Sequence, residues 1–138
     1  MAAPISYVRG LKCVFCGKTY STRVPYTCPA CGVTGILDVQ YDYRAIARKL
    51  TRRSLQQRPQ DHWRYRELLP IADPRAIPPL SVGWSPLYLT KPLARHLGVS
   101  TLYLKDDGRN PTASLKDRAS SVGVAKALSA SASSRKIY

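Results

Sequence analysis

Residues Cys13 to Gly32 read CVFCGKTYSTRVPYTCPACG. Two C-x2-C pairs, Cys13/Cys16 and Cys28/Cys31, lie eleven residues apart, and each is followed by a glycine, Gly17 or Gly32. Each pair can place two thiolates on one metal ion through a tight knuckle. The glycines let the backbone turn so that its amides face the sulfurs. Four thiolates in tetrahedral array suit zinc best, with iron the lesser alternative. Four free thiols in a small core, or a redox-active pair, are the competing readings, and two matched pairs favour a closed structural site over both. A closed site leaves no open coordination position, so it stabilises a small ribbon and carries out no hydrolysis itself.

The surroundings fit that frame. Lys18 to Tyr26 has room for two short strands. Further on, Leu37, Val39, Tyr41 and Tyr43 alternate with Asp38, Gln40 and Asp42, the period of a half-buried strand. A zinc-ribbon-like module is therefore expected over residues 1–43.

A basic connector is expected over 44–79. Arg44, Arg48, Lys49, Arg52, Arg53, Arg58, Arg64 and Arg66 face only Asp61, so eight cations against one carboxylate supply half of the +14 net charge of this 138-residue chain. Such a run is more often a solvated face than a nucleic-acid surface. Tyr43, Ile46, Ala47 and Leu50 keep helical spacing, with Asp42 as N-cap. Trp63 to Leu69 predicts one or two helical turns stopped by Pro70. Ile71 to Pro79 holds three prolines and reads as extended coil.

Composition excludes some classes. With 44% hydrophobic and 22% charged residues, wholesale disorder and fibrous repeats are ruled out. No run of about 18 apolar residues offers a membrane span, and Met1 to Tyr20 lacks the apolar core of a secretory signal. A cytoplasmic location is expected, where disulfides are not the default state of four cysteines.

From residue 80 the grammar changes. Leu87 and Leu89 predict a short strand, Pro92 to Leu97 a helix closed by Gly98, Thr101 to Lys105 a strand, Asp106 to Ala113 a polar loop, and Ser114 to about Leu128 a helix. The alternating Ser and Ala of Ser129 to Ser134 carry no structural signal, and Ile137 and Tyr138 read as a strand beginning. Strand, helix, strand, helix is the order of an α/β domain on a parallel sheet, of which 80–138 would be the incomplete start.

Within it, Ser114 is placed to cap the second helix and Asp117 to complete a capping box, which puts Lys116 in the first turn. The positive end of a helix disfavours an ammonium, and a neutral amine is what attacks an aldehyde. Lys116 and Arg118 also break the rule that cations avoid this end, which marks them as candidates for function. The bland alternative, a solvated lysine offset by Asp117, stands level on spacing alone.

The stretch Leu102-Tyr-Leu-Lys-Asp-Asp-Gly-Arg109 followed by Asn110-Pro-Thr-Ala-Ser-Leu-Lys-Asp-Arg118 resembles the pyridoxal-phosphate lysine motif of the tryptophan-synthase-β-like, fold-type II enzymes. Within that superfamily it is most similar to the threonine synthases. Gly83-Trp-Ser-Pro-Leu87 resembles their Gly-x-Thr-Pro-Leu pattern. Trp63-Arg-Tyr-Arg-Glu-Leu-Leu-Pro70 resembles the segment ahead of it, and an N-terminal four-cysteine ribbon occurs in some members. Ala113 stands where the family usually has glycine, and Leu115 where an aromatic is common.

The resemblance implies a lyase that converts O-phospho-L-homoserine and water to L-threonine and phosphate. It also implies pyridoxal 5'-phosphate as a Schiff base on Lys116, with Asn110, Thr112 and Ser114 as walls of the cofactor site. The partner would be a phosphorylated amino acid, with no membrane and no nucleic acid, and a homodimer is compatible with it. The family's Ser/Thr-Gly-Asn phosphate loop follows this helix and is not among these residues, so the 138-residue chain is expected to be an N-terminal part, inactive alone. Two other readings stay open. One is a threonine dehydratase or cysteine synthase of the same superfamily, against which the ribbon and Trp63 to Pro70 argue. The other is a basic zinc-ribbon module binding nucleic acid, which leaves the Asn110 to Arg118 motif as coincidence.

Overall fold

The computed structural model describes residues 6–23 and 26–133. The chain divides into two compact units. One comprises Met1–Gln57 with Tyr65–Asp73, the other Arg58–Arg64 with Pro74–Tyr138. A 3-10 helix over His62–Leu68 is kinked at Tyr65, where the division falls. The strand beginning expected at Ile137 and Tyr138 lies outside the described residues.

The first unit is a curled antiparallel sheet of four strands, β1 (Val8–Cys13), β2 (Thr19–Tyr20), β3 (Thr27–Cys28) and β4 (Gly32–Tyr41), in the order β2-β1-β4-β3. The alternation read in the sequence sets the β1/β4 register, with Leu11 opposite Val39 and Cys13 opposite Leu37. Gly10 lies beside a register shift, and a side chain there would meet the Tyr20 carbonyl at 2.8 Å. Helix α1 (Tyr43–Lys49) follows as predicted. Asp42 caps it by accepting from the Ala45 N–H at 2.9 Å, and the capping carboxylate is also paired with Arg9. Those two donors, the amide first, hold the Asp42 carboxyl below the usual carboxylate range. Ile46 is the buried anchor of α1, while Tyr43, which fits both the strand alternation and the helical spacing, starts the helix and is exposed. A second short helix, α2 (Arg52–Gln56), opens on a reciprocal capping box between Thr51 and Ser54. Arg44, Arg48, Lys49, Arg52 and Arg53 on these helices are all exposed, as a solvated face requires, but Arg64 of the same run is buried and lies 4.5 Å over the Trp84 ring, which corrects the expectation there.

The second unit holds β5 (Leu87–Leu89), α3 (Lys91–His96), β6 (Tyr103–Lys105) and α4 (Asp117–Ser133). The elements come in the expected order, with α4 displaced toward the C-terminus, but β5 and β6 pair antiparallel, with Tyr88 opposite Leu104, and so correct the parallel expectation. The cause lies in the connection. Gly98, at φ +68°, reverses the chain after α3, and the Gly98 and Val99 amides bond back to the Arg95 and Ala94 carbonyls. The Thr90 amide then reaches the Leu102 carbonyl and closes the strand ends. Thus α3 caps a hairpin and does not cross over a sheet. A 3-10 turn over Pro74–Ala76 interrupts the expected coil. Val82, Ala94 and Ala125 are the most deeply buried apolar residues of this unit. Helix α4 continues into the Ser/Ala tract as far as Ser133, and alanine has the highest helix propensity, a signal the periodicity could not use. Among the described residues no helix is long and apolar enough to cross a membrane.

Candidate functional site

The four predicted thiols converge. Cys13 ends β1, Cys28 ends β3, and Cys16 and Cys31 follow on the two knuckles, so the Sγ atoms all lie within 4.8 Å of one another. The Cys16 and Cys28 sulfurs are 3.7 Å apart. Four sulfurs at the zinc–thiolate distance of about 2.3 Å form a tetrahedron with edges of about 3.8 Å, so the donor set fits zinc. Gly17 and Gly32 both take positive φ, as the knuckles require. The Gly17 amide bonds to the Cys13 carbonyl and the Cys16 amide approaches the Cys13 sulfur at 3.5 Å.

Electrostatics divide the thiols. The Tyr20 hydroxyl, 3.1 Å from the Cys28 sulfur, is the first cause that holds the Cys28 thiol down to about 6, helped by the Ala30 and Cys31 amides. The same bond pushes Tyr20 up to about 12. Hydrogen bonding to Cys16, then burial, pushes Cys31 up to about 12. Cys13 and Cys28 are buried, Cys31 is intermediate and Cys16 is exposed.

Sequence reasoning missed Gly35. A Cβ there would lie 2.5 Å from the Cys28 Cβ and 2.8 Å from that of Cys31. The strand β4 runs against the second knuckle at a distance only glycine allows. An isolated glycine inside a strand pattern was the available signal. Tyr20 was also missed, and no pattern announces it.

The lysine segment lies in the second unit, where Asn110, Thr112, Ser114 and Lys116 share one loop leading into α4. The structure corrects the predicted cap. Helix α4 begins at Asp117, so Lys116 stands at the cap position rather than in the first turn. The first helical bond runs from the Ser120 amide to the Lys116 carbonyl at 2.9 Å. Ser114 Oγ accepts from the Lys116 amide at 3.2 Å, and Asp117 does not reach back to Ser114. Its carboxylate instead takes the Thr112 amide at 2.8 Å and the Thr112 hydroxyl at 2.5 Å, which keep the acid below the usual range. The reason is Ala113, at φ +55°. Its left-handed turn, closed by the Ala113 amide on the Asn110 carbonyl, delays the helix.

Asn110 is buried and spends both ends of its amide within the protein, accepting from the Gly83 N–H and donating to the Asp107 carbonyl, each at 2.9 Å. Arg118 grips Asp107 with two bonds of 2.7 and 2.9 Å and also reaches Ser85 Oγ at 3.2 Å. Ser85 donates to Asp107 at 2.5 Å. Arg118, and Ser85 after it, hold the Asp107 carboxyl below its ordinary range. Thus the Gly83 to Leu87 stretch, the 3-10 turn at Asp107–Arg109 and the start of α4 are tied together around Asp107. The Lys116 side chain is exposed, and among the described residues no hydrogen bond or ion pair engages its amine.

The structure thus brings together four thiols in an arrangement compatible with one zinc ion and, in the second unit, leaves a lysine amine exposed just ahead of a long helix. The sequence comparisons supply the particular relationship. The chain is 44% identical over 117 residues to threonine synthase of Methanocaldococcus jannaschii, covering 84% of this chain. It is 44% identical over 119 residues to that of Methanosarcina acetivorans, covering 86%, and 36% identical over 69 residues to that of Synechocystis. Over most of its length the chain is thus similar to part of the threonine synthases. It spans 28% of the length of the two archaeal proteins. No family model and no solved structure matches it.

Proposed function

We propose that this chain carries the cofactor-lysine and metal-binding portion of a threonine synthase-like, pyridoxal-phosphate-dependent lyase acting on a phosphorylated amino acid, O-phospho-L-homoserine. The supporting observation is the 44% identity over 117 residues, in a chain whose Asn110–Arg118 loop is fixed around an unengaged lysine amine. The residues present fit the cofactor at the point of attachment: Lys116 offers an amine with no internal partner, beside a helix start. When bound, pyridoxal phosphate supplies an electron sink for carbanions next to the substrate nitrogen.

The protein's part is positioning and proton transfer. Lys116 would hold the cofactor's carbonyl group, and its amine would serve as the proton-carrying base and acid beside it. Asn110, Thr112 and Ser114 shape the loop that aims it. Through their bonds to Gly83, Asp117 and the Lys116 amide they fix the backbone on both sides of the lysine. Asp107 and Arg118 lock that loop to the Gly83–Leu87 stretch. Cys13, Cys16, Cys28 and Cys31 would hold one zinc ion as a closed structural site, within a three-part organisation of ribbon (1–43), connector (44–79) and lyase domain (from 80).

Borohydride reduction in the presence of pyridoxal phosphate tests the assignment. The pyridoxyl label is expected to concentrate on the Lys116 peptide and to disappear in Lys116→Ala. Label spread evenly over the other lysines refutes it. Metal analysis should find stoichiometric zinc in protein purified without chelator, and chelation should melt the ribbon unit.

A further inference from the structure

The second unit carries a cavity that the lysine loop does not use. Its volume is about 570 Å³, within the range of small-molecule sites. Lys91 and Arg95 line it from α3, one helical turn apart, with Ala94 buried between them. Ser100 and Thr101, which follow the left-handed turn at Gly98, line it as well, with the apolar side chains of Leu89, Val99 and Tyr103. It shares no residue with the Asn110–Lys116 loop.

Two like charges at i and i+4 oppose each other and weaken a helix. Among the described residues no ion pair engages either cation, and no hydrogen bond takes the hydroxyls of Ser100 or Thr101. Two cations without an ion-pair partner and two hydroxyl donors lining the same groove match a dianion, and the apolar residues beside them match an organic body attached to it. We propose that this cavity binds a small phosphate monoester, with its phosphate between Lys91, Arg95 and the Ser100–Thr101 hydroxyls and its apolar portion against Leu89, Val99 and Tyr103. Binding there would also relieve the repulsion along α3 and couple that helix to the β6 strand.

The test is an amide-resolved NMR titration of the full chain with phenyl phosphate and, separately, inorganic phosphate, at constant ionic strength. Phenyl phosphate is expected to shift the amides of Ser100, Thr101 and Tyr103 saturably and to bind more tightly than inorganic phosphate. Lys91→Gln with Arg95→Gln is expected to weaken it about tenfold or more, as loss of charge-assisted bonds does. Arg52→Gln with Arg53→Gln removes the same charge elsewhere and is expected to leave affinity within about twofold. That pair separates site binding from the general attraction of a +14 chain. Equal losses in both double variants overturn the site, as do shifts scattered over the basic helices. Equal affinity for the two phosphates overturns the organic body. None of these readouts depends on Lys116 or on lyase activity, so the proposal stands or falls apart from the functional assignment above.

Discussion

Replacing Gly35 by alanine would place a methyl carbon 2.5 Å from the Cys28 Cβ and 2.8 Å from the Cys31 Cβ. Ordinary carbon–carbon contact is about 3.5–4.0 Å, so the second knuckle and β4 must separate by about 1 Å. Both neighbours are the first side-chain carbons of metal-ligand candidates and cannot rotate away. Overpacking of this kind costs about 1–3 kcal/mol. The displacement also exceeds the roughly 0.2 Å tolerance of metal–ligand distances, so zinc affinity should fall by about 10–100-fold, as when support for a ligand shell is lost. Competition against a chromophoric chelator gives the affinity, and thermal melts with and without zinc give the stability. Glycine at the neighbouring exposed knuckle positions offers no such contact, since a Cβ at Gly17 meets nothing within 4 Å. Gly17→Ala should therefore cost only its positive-φ strain, about 1 kcal/mol. Wild-type zinc affinity and an unchanged melt in Gly35→Ala would refute the close-packing argument.

Ala113→Gly should stabilise the second unit. Ala113 sits at φ +55°, a strain of about 1–2 kcal/mol for a non-glycine residue, offset in part by the larger unfolded-state entropy of glycine. A net gain of about 0.5–1 kcal/mol is expected from urea midpoints. Asn110→Ala strands the Gly83 amide and the Asp107 carbonyl and should cost about 2–3 kcal/mol by the same measurement, with Lys116 labelling reduced as its loop loosens. Acid should weaken the second unit in two stages. His62 is held below its ordinary range, first by burial and also by Arg118, against the pull of Asp61. The unfolded chain therefore binds a proton that the native one refuses, and stability falls as pH drops below about 6.5. Asp107 and Asp117, both depressed, add a further loss below about 4 as they are protonated. Urea midpoints across pH should show the upper limb flattened in His62→Gln. An unchanged limb would remove His62 from the account.

Much of the molecule could be read from local chemistry. The cysteine spacing gave the cluster, because two knuckles with following glycines have few other uses. Asp42 before an i, i+3, i+4, i+7 pattern gave α1, and Gly98 gave the end of α3. What escaped depended on tertiary approach or on backbone conformation at one residue. The antiparallel pairing of β5 with β6 follows from the turn at Gly98 and the closing bond from Thr90 to Leu102, which no hydrophobic period encodes. The shift of the α4 start by three residues follows from a left-handed alanine, a state composition does not favour. The Asp107–Arg118 grip joins residues eleven apart across an irregular loop, beyond the reach of helix-pair rules. Lys116 was singled out by its motif, while its placement at the cap needed the structure.

The hairpin of β5 and β6 has a practical corollary. Leu87, Tyr88, Leu89, Tyr103 and Leu104 all present substantial surface to solvent, and each strand has a single ladder partner among the described residues. Such a ribbon is a template for sideways association, and the strong positive charge of the chain is what keeps copies apart. Raising the ionic strength shortens the reach of that repulsion to a few ångströms without weakening the attraction. Solubility should therefore decline as salt is added, and dilute, low-salt buffers are the conditions under which this polypeptide stays dispersed.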